Sequence, residues 1–270
     1  MRKTLISLFL LIPSLAVVAG DPDYNVAAIP APLQIGADAV KRMERYSVRM
    51  EGLKDVTVVH TFAITVMNES GVDYADVQED YGPLRDVKSI KGILFDASGK
   101  QIRKLKSSEI KDVSGVDNAA LMEDTRYKLH SFYHRSYPYT VEYEIVTNNR
   151  QSFALPLWIP QEGPSFAVQQ SLFEVTVPES YPLRWRTFGY HGEPKTQVVK
   201  GQKTFTWEAT MLPAIKSEPF SRDWHNRATS VFLGPAEFEM GAYKGQMNSW
   251  QDWALLYLRS IKAAMYCPTP

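Results

Sequence analysis

Apolar and polar side chains alternate with a period of two along much of the chain from Met43 onward. Val56, Val58, His60, Phe62, Ile64 and Val66 share one face of such a run, while Thr57, Thr61 and Thr65 share the other. That spacing predicts a half-buried strand. Gly52-Leu53-Lys54-Asp55, just before it, reads as a hairpin turn. Ser89 to Asp96 is a further strand, closed by the turn Ala97-Ser98-Gly99-Lys100. Tyr139, Val141, Tyr143 and Ile145 alternate with Thr140, Glu142 and Glu144. Phe173, Val175 and Val177 alternate with Glu174 and Thr176, and Phe205 and Trp207 follow a Gly201-Gln202 turn. β-Branched and aromatic residues dominate these runs, as strands favour. Pro138, Pro178, Pro182 and Pro213 sit at run ends, where a missing N–H does least harm. Frequent strands with few helices between them predict an all-β fold, an antiparallel β-sandwich of two stacked sheets.

Both ends depart from this alternation. Ser249-Trp250-Gln251-Asp252 reads as a helix start with an acid at the third helical position. Trp250, Trp253, Ala254, Tyr257, Ile261, Ala264 and Met265 then recur at helical spacing on one face. The sandwich is therefore expected to carry a C-terminal amphipathic helix with an aromatic stripe. At the other end, Arg2 and Lys3 precede an apolar run from Leu5 to Val18, followed by the small residues Ala19 and Gly20. Residues 1–20 read as a cleavable secretory signal peptide. The run is short and broken at Pro13, whereas a membrane span needs roughly 20 apolar residues. No membrane anchor is expected after cleavage. Residues 21–42 read as an extended lead-in, 43–235 as the sandwich, and 236–270 as a linker and terminal helix.

Composition narrows the chemistry. Lys plus Arg and Asp plus Glu are 30 each. Without Arg2 and Lys3 the balance is 28 against 30, or −2, which provides no basic excess for nucleic acid. The single cysteine, Cys267, cannot form a disulfide within the chain, so an exported domain of this size must be held by its core. Cys267 follows every histidine and sits almost at the terminus, a poor place for a nucleophile that needs a positioned base. His130 and His134 are four apart, a metal spacing on a helix, but Tyr127 to Tyr139 reads as strand. His60 on an apolar face reads as a satisfied core residue. Glu142 and Glu144 project from one strand face, better explained as a solvated sheet surface than as a glycosidase pair. There is no phosphate-binding glycine loop and no nucleophile elbow, and no cofactor is expected. Trp207 reads as core. Trp158, Trp185 and Trp224 remain candidate ligand-facing aromatics for a cell-envelope glycan or peptide.

The order of segments resembles an exported bacterial family, domain of unknown function 3857. The resemblance runs from about Arg45 to Trp185. It rests on Tyr46-Ser47-Val48, Ile64 to Gly71, Val87 to Gly92 and Asp96 to Lys100. Lys111-Asp112-Val113, Met122 to Arg126, Tyr139 to Glu144 and Pro156 to Val177 continue it. Members commonly precede a transglutaminase-like domain carrying Cys, His and Asp in that order. The resemblance implies a periplasmic or extracellular module of a Gram-negative-type bacterium, without catalytic residues of its own. Its partner would be a transglutaminase-like domain in cis, or another envelope protein. Leu212 to Pro219 and the terminal helix look like the passage into that domain, and Trp250, Trp253, Tyr257 and Ile261 are the candidate interface. The chain reads as ending before the catalytic set would begin.

Overall fold

A computed structural model describes residues 23–115 and 125–265, without the side chains of His225 and residues 259–265. The expected leader, Cys267, the Ile261 side chain and the Met122 to Asp124 part of the resemblance lie outside the described residues. The chain is all-β with a C-terminal helix, as the alternation predicts.

Among the described residues, fifteen strands follow in order. They are β1 (Ala39–Gly52), β2 (Asp55–Val66), β3 (Val77–Tyr81), β4 (Arg85–Phe95) and β5 (Gln101–Lys104). Next come β6 (Lys111–Ser114), β7 (Arg126–His130), β8 (Tyr139–Asn149), β9 (Phe166–Pro178) and β10 (Arg184–Phe188). The last are β11 (Lys195–Val199), β12 (Gln202–Leu212), β13 (Ser230–Gly234), β14 (Glu237–Met240) and β15 (Tyr243–Gln246). The helices are α1 (Ala31–Gln34) and α2 (Trp250–Met265).

Eight strands form one large sheet in the order β11-β12-β9-β1-β2-β8-β4-β5. The hairpin at Leu53–Lys54 closes with Gly52 opposite Asp55. One pair departs from the antiparallel expectation: β1 and β9 run parallel, with Ala39 opposite Phe166 and Val48 opposite Val175. The cause is the strap 150–165, which leaves the end of β8 and crosses the sheet with Trp158 buried beneath it. β9 therefore starts beside the start of β1. The layers are also unequal. A three-stranded sheet, β3-β7-β6, and a pair, β10-β13, lie over the large one.

Both cores lie on the same face of the large sheet. Phe62, Ile64, Ile90, Leu94, Val141 and Tyr143 meet Val77 and Phe132 on the three-stranded side. Val48, Val58, Phe173, Val175, Phe205 and Trp207 meet Trp158, Leu183 and Val231 on the other. Each fully buried side chain of this size contributes about 1.5–3 kcal/mol. Gly92 belongs to this packing: a Cβ there would stand 2.8 Å from the Tyr143 ring, so only glycine leaves space for it.

The opposite face is polar, with Arg45 paired to Glu174 at 2.8 Å and Lys91 to Glu144 at 2.7 Å. The lead-in is not extended as expected. Its apolar side chains dock on the end of this face, where Ile29 and Leu33 pack with Val40 and Ala167, and β1 begins at Ala39. The expected linker after residue 235 contains the β14-β15 hairpin, anchored by the fully buried Phe238.

Candidate functional site

Two places combine burial or exposed apolar surface with side chains brought together from distant elements. The first lies in the seam between the two cores. A β-bulge between Lys41 and Met43 places Lys41 opposite Ile64 and Glu44 opposite Phe62. Residues three apart in a regular strand face opposite sides, but the extra residue turns both of these toward the covered face. Lys41 Nζ donates to Glu44 Oε1 at 2.8 Å and to Glu162 Oε1 at 2.7 Å. His60 Nε2 lies 2.8 Å from Glu44 Oε1. Ser171 Oγ donates to Glu44 Oε2 and accepts from the Trp158 indole N–H at 2.8 Å. Lys41, Glu44, Trp158 and Ser171 are all buried.

The electrostatics match this closed circuit. Burial pulls the Lys41 ammonium down, but Glu162 and Glu44 outweigh it and hold the group above its ordinary value. Burial pushes the Glu44 carboxyl up, but Lys41 and His60 outweigh that and hold it far below the usual carboxylate range. Both groups are charged in the fold. The Ser171 hydroxyl already donates and accepts, and His60 addresses Glu44 rather than Ser171. The arrangement can hold charge and fix two layers; a serine saturated in this way has no free geometry for nucleophilic attack.

The second place surrounds α2. Its start is capped as expected: Asp252 Oδ2 accepts from the Ser249 N–H and hydroxyl, both at 2.9 Å. The Ser249 hydroxyl in turn accepts from the Asp252 N–H at 3.2 Å. Trp253, Leu256 and Tyr257 face Phe153, Met240 and Tyr243 across a cavity of about 210 Å³. Phe153 and Met240 also line a second groove of about 370 Å³ that runs on to Tyr81, Pro83 and Leu84. Trp253 and Tyr257 stack at 6.0 Å. Much of the apolar helix stays in solvent: Trp250 is 87% exposed, Tyr257 56%, Leu258 54%, Leu255 53% and Trp253 46%.

The other expected sites disperse. Trp158 is 1% exposed, which corrects its reading as a ligand-facing aromatic; its indole serves the seam instead. Trp185 is half-buried against Phe205 and Trp207, with ring centroids 5.1 and 5.8 Å away. Trp224, also half-buried, donates to the Gln161 carbonyl. The three do not form a common platform. His130 Nδ1 meets the Tyr143 hydroxyl at 2.7 Å, and burial pushes its pKa down. His134 lies against the Tyr139 ring. No group of three His, Cys, Asp or Glu side chains is placed to hold a metal among the described residues. Glu142 and Glu144 occupy the solvated face, bonded to Tyr24 and Lys91.

The seam was not legible as a site. Lys41, Glu44 and Ser171 read as ordinary polar positions of strands, and the signal, a single extra residue in β1, emerges only when β1 is paired with β2.

No curated protein matches the chain in sequence. Among solved structures, a candidate protease from Parabacteroides distasonis superposes with a TM-score of 0.63 at 14% identity, over 73% of this chain and 40% of that one. An M1 zinc metallopeptidase from Deinococcus radiodurans gives 0.37 at 10% identity, over 77% of this chain and 46% of that one. The chain thus spans less than half of each protein. The first likeness establishes a shared fold. The sequence itself decides the family: residues 54–216, which run from the turn before β2 to just beyond β12, match the Domain of Unknown Function with solved structure DUF3857, and the chain belongs to that family.

Proposed function

We propose that this chain is an exported, non-catalytic module that docks onto and supports a transglutaminase-like domain through α2 and the groove beside it. The observation that carries this reading is the exposed apolar surface of α2. Burying a side chain the size of leucine or phenylalanine contributes about 1.5–3 kcal/mol. Trp250, Trp253, Leu255, Tyr257 and Leu258 forgo a large part of that while standing in water. Large contiguous apolar surface is the mark of an interaction site, and aromatic anchors beside a preformed groove are the usual centre of one. The saturated seam supports a structural role for the module, since its one buried serine and nearby histidine are committed to Glu44. The fold also occurs within a longer candidate protease, of which it covers 40%.

The test supplies a transglutaminase-like domain in trans and measures association by calorimetry. Saturable binding that is lost in Trp253→Ala/Tyr257→Ala, with the thermal unfolding midpoint of the module preserved, is expected. No association, or association unchanged in that variant, overturns the reading.

A further inference from the structure

A cavity of about 210 Å³, apart from the α2 groove and the seam, lies between β3, β7 and the turn Ser107–Glu109 that leads into β6. Asp76, Gln78, Lys111, His130, Ser131 and Tyr133 supply its polar lining, and Val77 and Leu129 its apolar part. Both signs of charge are present. Glu109, also at the wall, has both carboxylate oxygens engaged by Arg103, at 2.8 and 2.9 Å. Lys111 Nζ donates to the Tyr133 hydroxyl at 3.2 Å and stands 5.4 Å from the centre of that ring.

Two features of this lining are not accounted for by packing. His130 is 5% exposed, and its Nε2 is buried without a hydrogen-bond partner. Its Nδ1 meets the Tyr143 hydroxyl at 2.7 Å. Tyr143 is fully buried, and that hydroxyl makes no other hydrogen bond among the described residues. The phenol, whose pKa burial pushes up, therefore donates to Nδ1. The imidazole, kept neutral because burial pushes its pKa down, then carries its own hydrogen on Nε2. Glu109, at the cavity wall, is the carboxylate that acts on this ring. A buried donor left unpaired is costly and calls for a partner. The second feature is Tyr133, whose φ of 49° is a conformation that residues other than glycine avoid. Its N–H is held by the Ser131 hydroxyl at 3.3 Å, and its side chain stays 72% exposed at the cavity. The backbone is bent against its preference, and the result is an aromatic ring in water beside a buried donor.

We propose that this cavity binds one neutral pyranose ring of a sugar. Sugar hydroxyls both donate and accept. They suit a lining that offers a donor at His130 Nε2, acceptors at Asp76, and groups of both kinds at Gln78 and Ser131. The C–H face of the sugar lies on the Tyr133 ring. Charges of both signs disfavour an ionic ligand: an anion meets Asp76 and Glu109, and a cation meets Lys111 and Arg103. The cavity is smaller than the roughly 300–1,000 Å³ pockets that hold drug-sized ligands, which limits it to a single ring. A bridging water would also satisfy Nε2, but it leaves the Tyr133 conformation without an account. This site is separate from α2 and does not depend on the docking proposed there.

The experiment titrates the intact protein with methyl β-glucopyranoside and follows backbone amide and imidazole nitrogen resonances by NMR. Saturable shifts gathered at residues 76–78, 107–111 and 129–133, together with a moved His130 Nε2 resonance, are expected. Tyr133→Gly relaxes the backbone, so it should keep or raise the thermal unfolding midpoint while weakening binding about tenfold. Gln78→Ala, at an exposed position, should weaken binding as well. Glucuronate and glucosamine, which add a charge of either sign, should bind more weakly than the neutral glucoside. Free glucose binding more tightly than the glycoside makes a free monosaccharide the ligand; equal or weaker binding makes it the end of a glycan chain, and the site stands in both cases. Absence of saturable shifts, tighter binding of either charged sugar, or binding unchanged in either variant overturns the proposal. A His130 Nε2 resonance that stays still while the other residues shift assigns that donor to a bound water only, with the same consequence.

Discussion

Glu44, only 5% exposed, is surrounded by three donors, Lys41, His60 and Ser171. A buried charge is tolerated only when it is paired and hydrogen-bonded. Lys41→Met should therefore destabilise the fold by about 3–5 kcal/mol in urea unfolding, because it leaves Glu44 without its cation. Lys41→Met/Glu44→Gln should recover part of that loss; no recovery would show that Glu44 is not the group left stranded. The pH dependence has a definite sign. The carboxyl is held below its ordinary value of 4.5, so its stabilisation is complete above that pH and is lost as the pH falls toward the folded value. Lys41 is held above 10.5, so its share is complete below that pH and declines as the pH rises past it. The stability gap between wild type and Glu44→Gln should narrow as the pH drops below 4.5.

Elements differ in what specifies them. β2, β8, β9 and β12 were legible from their alternating runs, whereas β1, bulged between Lys41 and Met43, shows its period only from Met43. β5, β6, β14 and β15 have four residues each, too few for a period to declare itself. α2 was legible from its stripe and its cap. That cap should matter more than most, because α2 has little packing to sustain it. Ser249→Ala removes one side of the reciprocal bonds with Asp252 and should cost about 1 kcal/mol. The cost should appear as faster amide exchange through residues 250–258. Unchanged exchange there would mean that the groove residues, rather than the cap, hold the helix.

At the scale of the whole molecule, stability is unevenly distributed. The central strands are bonded on both sides and covered by two cores, whereas α2 touches the body along one groove. Local opening follows such differences. Native-state hydrogen exchange should show β1, β2, β8 and β9 opening only with global unfolding, and α2 opening at much lower free energy. Uniform protection across both would contradict the view of α2 as a helix awaiting a neighbour.

The sequence alone determined the fold class, the faces of the long strands and the capped aromatic helix, because each depends on residues close together in the chain, and it determined the family through the order of its segments. Period two and period 3.6 are properties of a single backbone segment. Tertiary structure decided the rest. The parallel pairing of β1 with β9 joins Ala39 to Phe166, a choice no local pattern contains. The burial of Lys41 with Glu44 needed the register against β2, and Trp158 passed from surface candidate to core because the strap carries it under the sheet. The free edge at β5 likewise exists only once eight strands have been placed in order. Segments far apart in the chain set those outcomes, through pairing and burial that neither segment encodes by itself.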